Sequence, residues 1–170
     1  MQSKVQGGEK MKRIILILLV IFLVSISFGF EISALGGMEL SGKNRPYIGA
    51  RIGTLSGGVS LMLEAYYPLS SFEDVQNVNV DQVRFLEIDP YLYLGLPISS
   101  TLIYVGVAPI VILDIANVDF ALYSSELFHA KAGIRFGQGI VFFVEGLTTL
   151  TTSFETLGIY AVSAGLGIGL

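Results

Sequence analysis

The sequence predicts an all-β protein, an eight-stranded antiparallel up-and-down transmembrane β-barrel preceded by an N-terminal helical signal peptide. Three observations carry that prediction. Apolar residues recur at every second position along most of the chain, the period of a strand with two unlike faces. The charged residues inside those segments fall almost wholly in the opposite phase. Tight turns alternate with longer, more polar connections, as in a barrel whose two rims differ.

At 170 residues the chain suits one domain, and its 52% apolar and 14% charged content is unusual for a water-soluble one. Mean hydropathy is +0.70. Only the N-terminal apolar run approaches the length of a membrane-spanning helix, so the rest of this hydrophobicity is spread over strands. The absence of cysteine excludes disulfides and thiolate metal sites. Net charge is −4, and Lys4, Lys10, Lys12 and Arg13 all precede the first apolar run, so the remainder is more acidic still. That balance argues against nucleic-acid binding.

Residues 1–29 read as a secretory signal peptide, with Met11 as an alternative start. Lys12 and Arg13 form a charged n-region, residues 14–24 an apolar h-region, and Ser25, Ser27 and Gly29 a small-residue cleavage region. The run falls short of the ~20 residues of a spanning helix, which favours a cleaved leader over an uncleaved anchor. The cut is expected after Ser27 or, preferred because Ser27 then stands at the small-residue position two before it, after Gly29. Residues 30–170 then form the barrel domain.

The first strand, 30–40, sets Phe30, Ile32, Ala34, Met38 and Leu40 against Glu31, Ser33, Gly37 and Glu39. The second, 47–55, sets Ile48, Ala50 and Ile52 against Gly49, Arg51 and Gly53. After a tight S-G-G turn, the third, 59–68, opposes Val59, Leu61, Leu63, Ala65 and Tyr67 to Ser60, Met62, Glu64 and Tyr66. An acidic, Asn-rich loop spans 70–82. The fourth, 83–96, opposes Leu86, Ile88, Leu92, Leu94 and Leu96 to Glu87, Asp89, Tyr91, Tyr93 and Gly95.

The fifth strand, 101–113, is apolar on both faces and gives no orientation, and 114–126 reads as a second long loop. In the sixth, 127–136, Phe128, Ala130, Ala132, Ile134 and Phe136 oppose His129, Lys131, Gly133 and Arg135. The seventh, 140–150, sets Ile140, Phe142 and Val144 against Phe143 and Glu145. In the last, 157–170, Tyr160, Val162, Ala164, Leu166, Ile168 and Leu170 face Ala161, Ser163, Gly165, Gly167 and Gly169. These lengths supply the ~9–11 residues a tilted strand needs to cross a bilayer, where every backbone group must be paired internally. The glycine face should let the wall approach interior side chains, and Leu170 should close the barrel beside Phe30.

Pro90 and Pro109 lie about equally far from the 97–100 turn. Since proline donates nothing to a ladder, both are expected near the outer rim or where regular pairing ends.

The inward phase collects Glu31, Glu39, Arg51, Glu64, Glu87, Asp89, His129, Lys131, Arg135 and Glu145. A charge on the lipid face near the midplane costs ~2–4 kcal/mol for Arg or Lys, so this segregation predicts an interior ionic cluster with more carboxylates than cations. It either cross-links a filled core or lines a narrow cation-preferring path. Outward aromatics, Phe30, Phe136 and Phe142 at the turn side and Tyr67, Phe128 and Tyr160 at the loop side, suggest two interfacial girdles.

This pattern of leader, eight amphipathic strands, ionic interior and alternating C-terminal strand resembles the small outer-membrane barrels of the OmpA, OmpX and OmpW type. The resemblance implies residence in the outer-membrane bilayer and insertion by the outer-membrane assembly machinery. That machinery reads a C-terminal strand usually ending in Phe, where this chain ends in Leu170. No peptidoglycan-binding domain is expected after the strand.

Other motifs are incomplete. Residues 37–44, G-M-E-L-S-G-K-N, fall one residue short of a phosphate-binding loop and carry Asn44 where Mg²⁺ needs a hydroxyl. No cofactor is implied. His129 is the only histidine, which excludes multi-histidine metal sites and leaves at most a general base for a lipid-modifying barrel enzyme. The loops carry Glu73, Asp74, Asp81, Asp114, Asp119, Glu126 and Glu155 against Lys43 and Arg45, a crown suited to a divalent cation or a surface ligand. The expected protein is a non-enzymatic outer-membrane barrel, structural or a narrow pore. A secreted lipocalin-like barrel with an apolar ligand inside is the alternative, which a charged interior and an apolar exterior disfavour.

Overall fold

Successive wall strands pair in antiparallel order until the last meets the first, so among the described residues the wall itself closes on all sides. The computed structural model describes residues 30–41, 44–71, 74 and 83–170; the expected signal peptide lies outside them, as do Lys43, Glu73 and Asp81. Eight strands form the wall: β1 (Glu31–Glu39), β2 (Arg45–Gly53), β3 (Gly58–Pro68), β4 (Phe85–Ile98), β5 (Thr101–Pro109), β8 (Leu127–Phe136), β9 (Ile140–Thr151) and β10 (Thr156–Gly169). Two short strands, β6 (Val111–Asp114) and β7 (Asp119–Leu122), form a hairpin beyond the wall. The β1–β10 ladder closes the cylinder, with Ile32 opposite Ile168, and paired bonds between Phe30 and Leu170 finish the seam.

Period-two burial follows the sequence phases throughout. On β3, Ser60, Met62, Glu64 and Tyr66 are buried while Val59, Leu61 and Leu63 are exposed. On β10, Tyr160, Leu166 and Ile168 point outward, each about half exposed (48%, 52% and 59%). An apolar exterior around a charged interior inverts the arrangement of a soluble barrel and matches one immersed in hydrocarbon. Among the described residues no helix is long and apolar enough to cross a membrane.

The inward glycines have a specific use. Gly106 lies directly opposite Tyr93, Gly133 opposite Tyr104, Gly37 opposite Tyr47 and Gly165 opposite Phe143. In each pair the aromatic ring lies where a glycine Cβ would project. Rings therefore lie flat over the neighbouring strand, which lets four large side chains share a narrow lumen. The same pairing orients β5, which periodicity left undecided: Leu102, Tyr104, Gly106 and Ala108 face in.

Three features depart from the sequence reading. The fifth strand stops at Pro109 rather than continuing to residue 113, because Pro90 and Pro109 interrupt its pairing with β4. That pairing runs from Ile98 opposite Thr101 to Leu92 opposite Val107 and resumes in the same register only at Glu87 opposite Ile112. Residues 114–126 are not a plain loop, since they contain β7 and the β6–β7 turn. Asp114 starts that turn, with Oδ1 accepting from the backbone N–H of Ala116 (3.1 Å) and Asn117 (3.3 Å). The side-chain amide of Asn117 is the main cause that holds the Asp114 carboxyl below its ordinary pKa. Finally, β9 and β10 extend until only residues 152–155 separate them.

Candidate functional site

Below the proline break, the lumen is filled by one continuous ionic lattice. Arg135 bonds Glu31 (2.6 Å), Glu31 bonds Arg51 (2.8 Å), Arg51 bonds Glu145 (3.2 Å), Glu145 bonds Lys131 (2.8 Å) and Lys131 bonds Glu64 (2.5 Å). Three cations meet three carboxylates. The chain of contacts crosses the barrel because its members sit on β1, β2, β3, β8 and β9 with their inward phases at neighbouring levels. Glu64 is fully buried and Arg51 1% exposed.

Buried charges are tolerable only when paired and hydrogen-bonded through every lone pair. Here each carboxylate oxygen has a donor. Glu145 Oε1 accepts from Lys131 and Ser163 (3.0 Å), and its Oε2 from Arg51 and Tyr104 (2.8 Å). Tyr93 donates to Glu64 Oε1 at 2.6 Å, while Tyr66 and Lys131 donate to Oε2. Ser33 (2.7 Å) and Arg51 share Glu31 Oε1, and Arg135 takes Oε2. The Arg51 guanidinium also lies 3.3 Å from the Phe143 ring centroid, and Lys131 Nζ lies 4.4 Å from that of Tyr91. These tyrosines and serines complete the site, although their charge-free side chains did not single them out in sequence. For all but Tyr104 and Ser163, whose strands carry no charge to mark their phase, the signal available was their position in the charge-bearing phase.

Above the lattice the lumen opens into a cup of about 370 Å³. Its wall is largely apolar, with Ile110, Ile112, Leu127, Leu147 and Ile159, and its polar groups include Glu39, Arg45, Tyr47, Glu87, His129 and Thr149. Glu39 therefore stands apart from the lattice, half-buried at the cup and opposite Arg45 in the β1–β2 ladder. At the cup floor His129 Nδ1 contacts Asp89 Oδ2 at 2.7 Å and lies 3.7 Å from Glu87 Oε1. The other Asp89 oxygen accepts from Val111 N–H at 3.4 Å, bridging the wall where the prolines supply no donor.

The ten inward charges thus divide. Six form a balanced lattice, and the carboxylate excess of Glu39, Glu87 and Asp89 is confined to the cup. A single acid-rich cluster is the wrong description, because strand register decides which carboxylates reach Arg51, Lys131 and Arg135.

No family model matches the chain, and no curated protein matches it. Solved structures do. A de novo designed transmembrane β-barrel superposes with a TM-score of 0.56 at 12% identity, covering 84% of this chain and 95% of that one. The N-terminal β-barrel domain of Pseudomonas aeruginosa OprF gives 0.52 at 15% identity, covering 84% and 97%. The class is therefore defined by fold: a closed eight-stranded transmembrane β-barrel. The chain shares the architecture of small outer-membrane barrels of the OmpA type.

Proposed function

We propose that this protein is a structural barrel of the outer membrane whose lumen is sealed by its ionic lattice, with residues 1–29 directing export as a signal peptide. The observation that carries the reading is the complete satisfaction of Glu31, Glu64 and Glu145 by buried donors. A water-filled conducting path would need those groups to face water. The wall carries no open edge and an apolar exterior, which suits a bilayer and insertion through the outer-membrane assembly machinery by the closing strand. A non-enzymatic role fits the use of every lattice group in bonding other lattice groups.

A narrow cation-preferring path is the second reading, favoured by the carboxylate excess at the cup, which would attract cations to its mouth. The lattice below would then have to open. Planar-bilayer recording of the purified protein separates the two: the sealed barrel gives no discrete conductance steps, and stable cation-selective steps would replace it with the pore.

A further inference from the structure

Three side chains able to ligate a metal converge beside the break in the wall. Glu87 and Asp89 project inward from β4 two residues apart, and His129 projects from β8. β5 runs between those strands, but its inward residue opposite His129 is Ala108, too small to keep them apart. One ligand atom from each of the three lies within 4.8 Å of the other two.

Two observations exceed what a structural ion pair requires. The first is charge: two carboxylates share one imidazole, and among the described residues no lysine or arginine makes an ion pair with either. In the lattice below, by contrast, every carboxylate has a cation. The second is access. Asp89 is fully buried and anchored by Val111, whereas Glu87 and His129 line the cup, so the cluster is closed on one side and open on the other. Three protein ligands with one open position are the usual arrangement of an accessible zinc site.

We infer that Glu87, Asp89 and His129 form a binding site for a first-row divalent transition-metal ion, of which Zn²⁺ is the representative. One imidazole with two carboxylates suits such an ion better than Ca²⁺ or Mg²⁺, which take oxygen alone, or Cu(I), which takes soft sulfur ligands. The distances ask for small changes. Donors at about 2.0–2.2 Å from a tetrahedral ion stand about 3.4 Å apart. The 2.7 Å contact between Asp89 and His129 must widen, and the 3.7 Å contact between Glu87 and His129 must contract. Both changes are within reach of side-chain rotation.

The experiment is isothermal titration of the refolded, tag-free full chain in detergent with Zn²⁺, paired with the visible spectrum on Co²⁺ addition. One ion per barrel is expected, together with the absorption of low-coordinate Co²⁺. Glu87→Gln and His129→Ala should each weaken affinity by at least the roughly 10–100-fold that loss of a mere outer-sphere partner costs. Glu126→Gln, a change of an exposed loop carboxylate, should leave it unchanged. Equal Zn²⁺ affinity in wild type, Glu87→Gln and His129→Ala, or no saturable binding by wild type, would overturn the site. Should His129→Ala fail to fold, as read by loss of the heat-dependent gel shift, Glu87→Gln and the wild-type Co²⁺ spectrum still decide. The sealed-lumen reading does not depend on this result.

Discussion

The two halves of the lumen bury carboxylates in opposite ways. In the lower half Glu31, Glu64 and Glu145 are matched by Arg51, Lys131 and Arg135, and tyrosine and serine hydroxyls occupy what remains. In the upper half Glu87 and Asp89 share His129 beside an apolar cup. Matched charges fill space and fix the strands, whereas of the two unmatched carboxylates Asp89 is buried and Glu87 stays partly open to the cup. The difference arises from register, since both halves draw on the same inward phase of the same strands.

The largest effect should come from breaking the matched half. Arg51→Ala leaves Glu31 and Glu145 buried without their shared partner, and loss of one member of a buried pair costs about 3–5 kcal/mol. Equilibrium urea unfolding in detergent should register that loss. Removing charge from both sides at once sharpens the point. Glu64→Gln with Lys131→Met should cost less than the sum of the single changes, a coupling a double-mutant cycle reads directly. A double variant as unstable as that sum would mean that the lattice is not acting as paired charges.

An intermediate effect is expected where the wall meets the lattice. Gly165→Val places a branched side chain against the Phe143 ring that shields Arg51, and such overpacking costs about 1–3 kcal/mol. The same unfolding measurement applies. The smallest effect belongs to the cup. Without metal, Glu87→Gln should change stability by no more than about 0.5 kcal/mol, because the carboxylate opens on the cup and its nearest charged partner, His129, stands 3.7 Å away.

Much of the architecture was legible because a charged interior gives each strand an unmistakable phase. Glu64 between Leu63 and Ala65, or Lys131 between Ala130 and Ala132, admits one orientation in lipid. β5 lacked such a marker, and its orientation depends on Gly106 accepting the ring of Tyr93 from the neighbouring strand. The β6–β7 hairpin escaped for a different reason: its strands are four residues each, and its turn rests on side-chain bonds from Asp114 rather than on a glycine. The twin prolines did signal their place, because two residues unable to donate can face each other only where pairing lapses. The division of the charges into lattice and cup was out of reach, since it depends on contacts across the barrel and not along a strand.

The contrast between a sealed lower lumen and an open cup can be measured directly because the chain has no cysteine of its own. Single cysteines at Leu147, which lines the cup, and at Ser33, which bonds Glu31 in the lattice, would be exposed in turn to a membrane-impermeant thiol reagent with the barrel in vesicles. Rapid labelling of Leu147→Cys and no labelling of Ser33→Cys until the protein is unfolded are expected from that contrast. Equal labelling of the two in the folded barrel would contradict it.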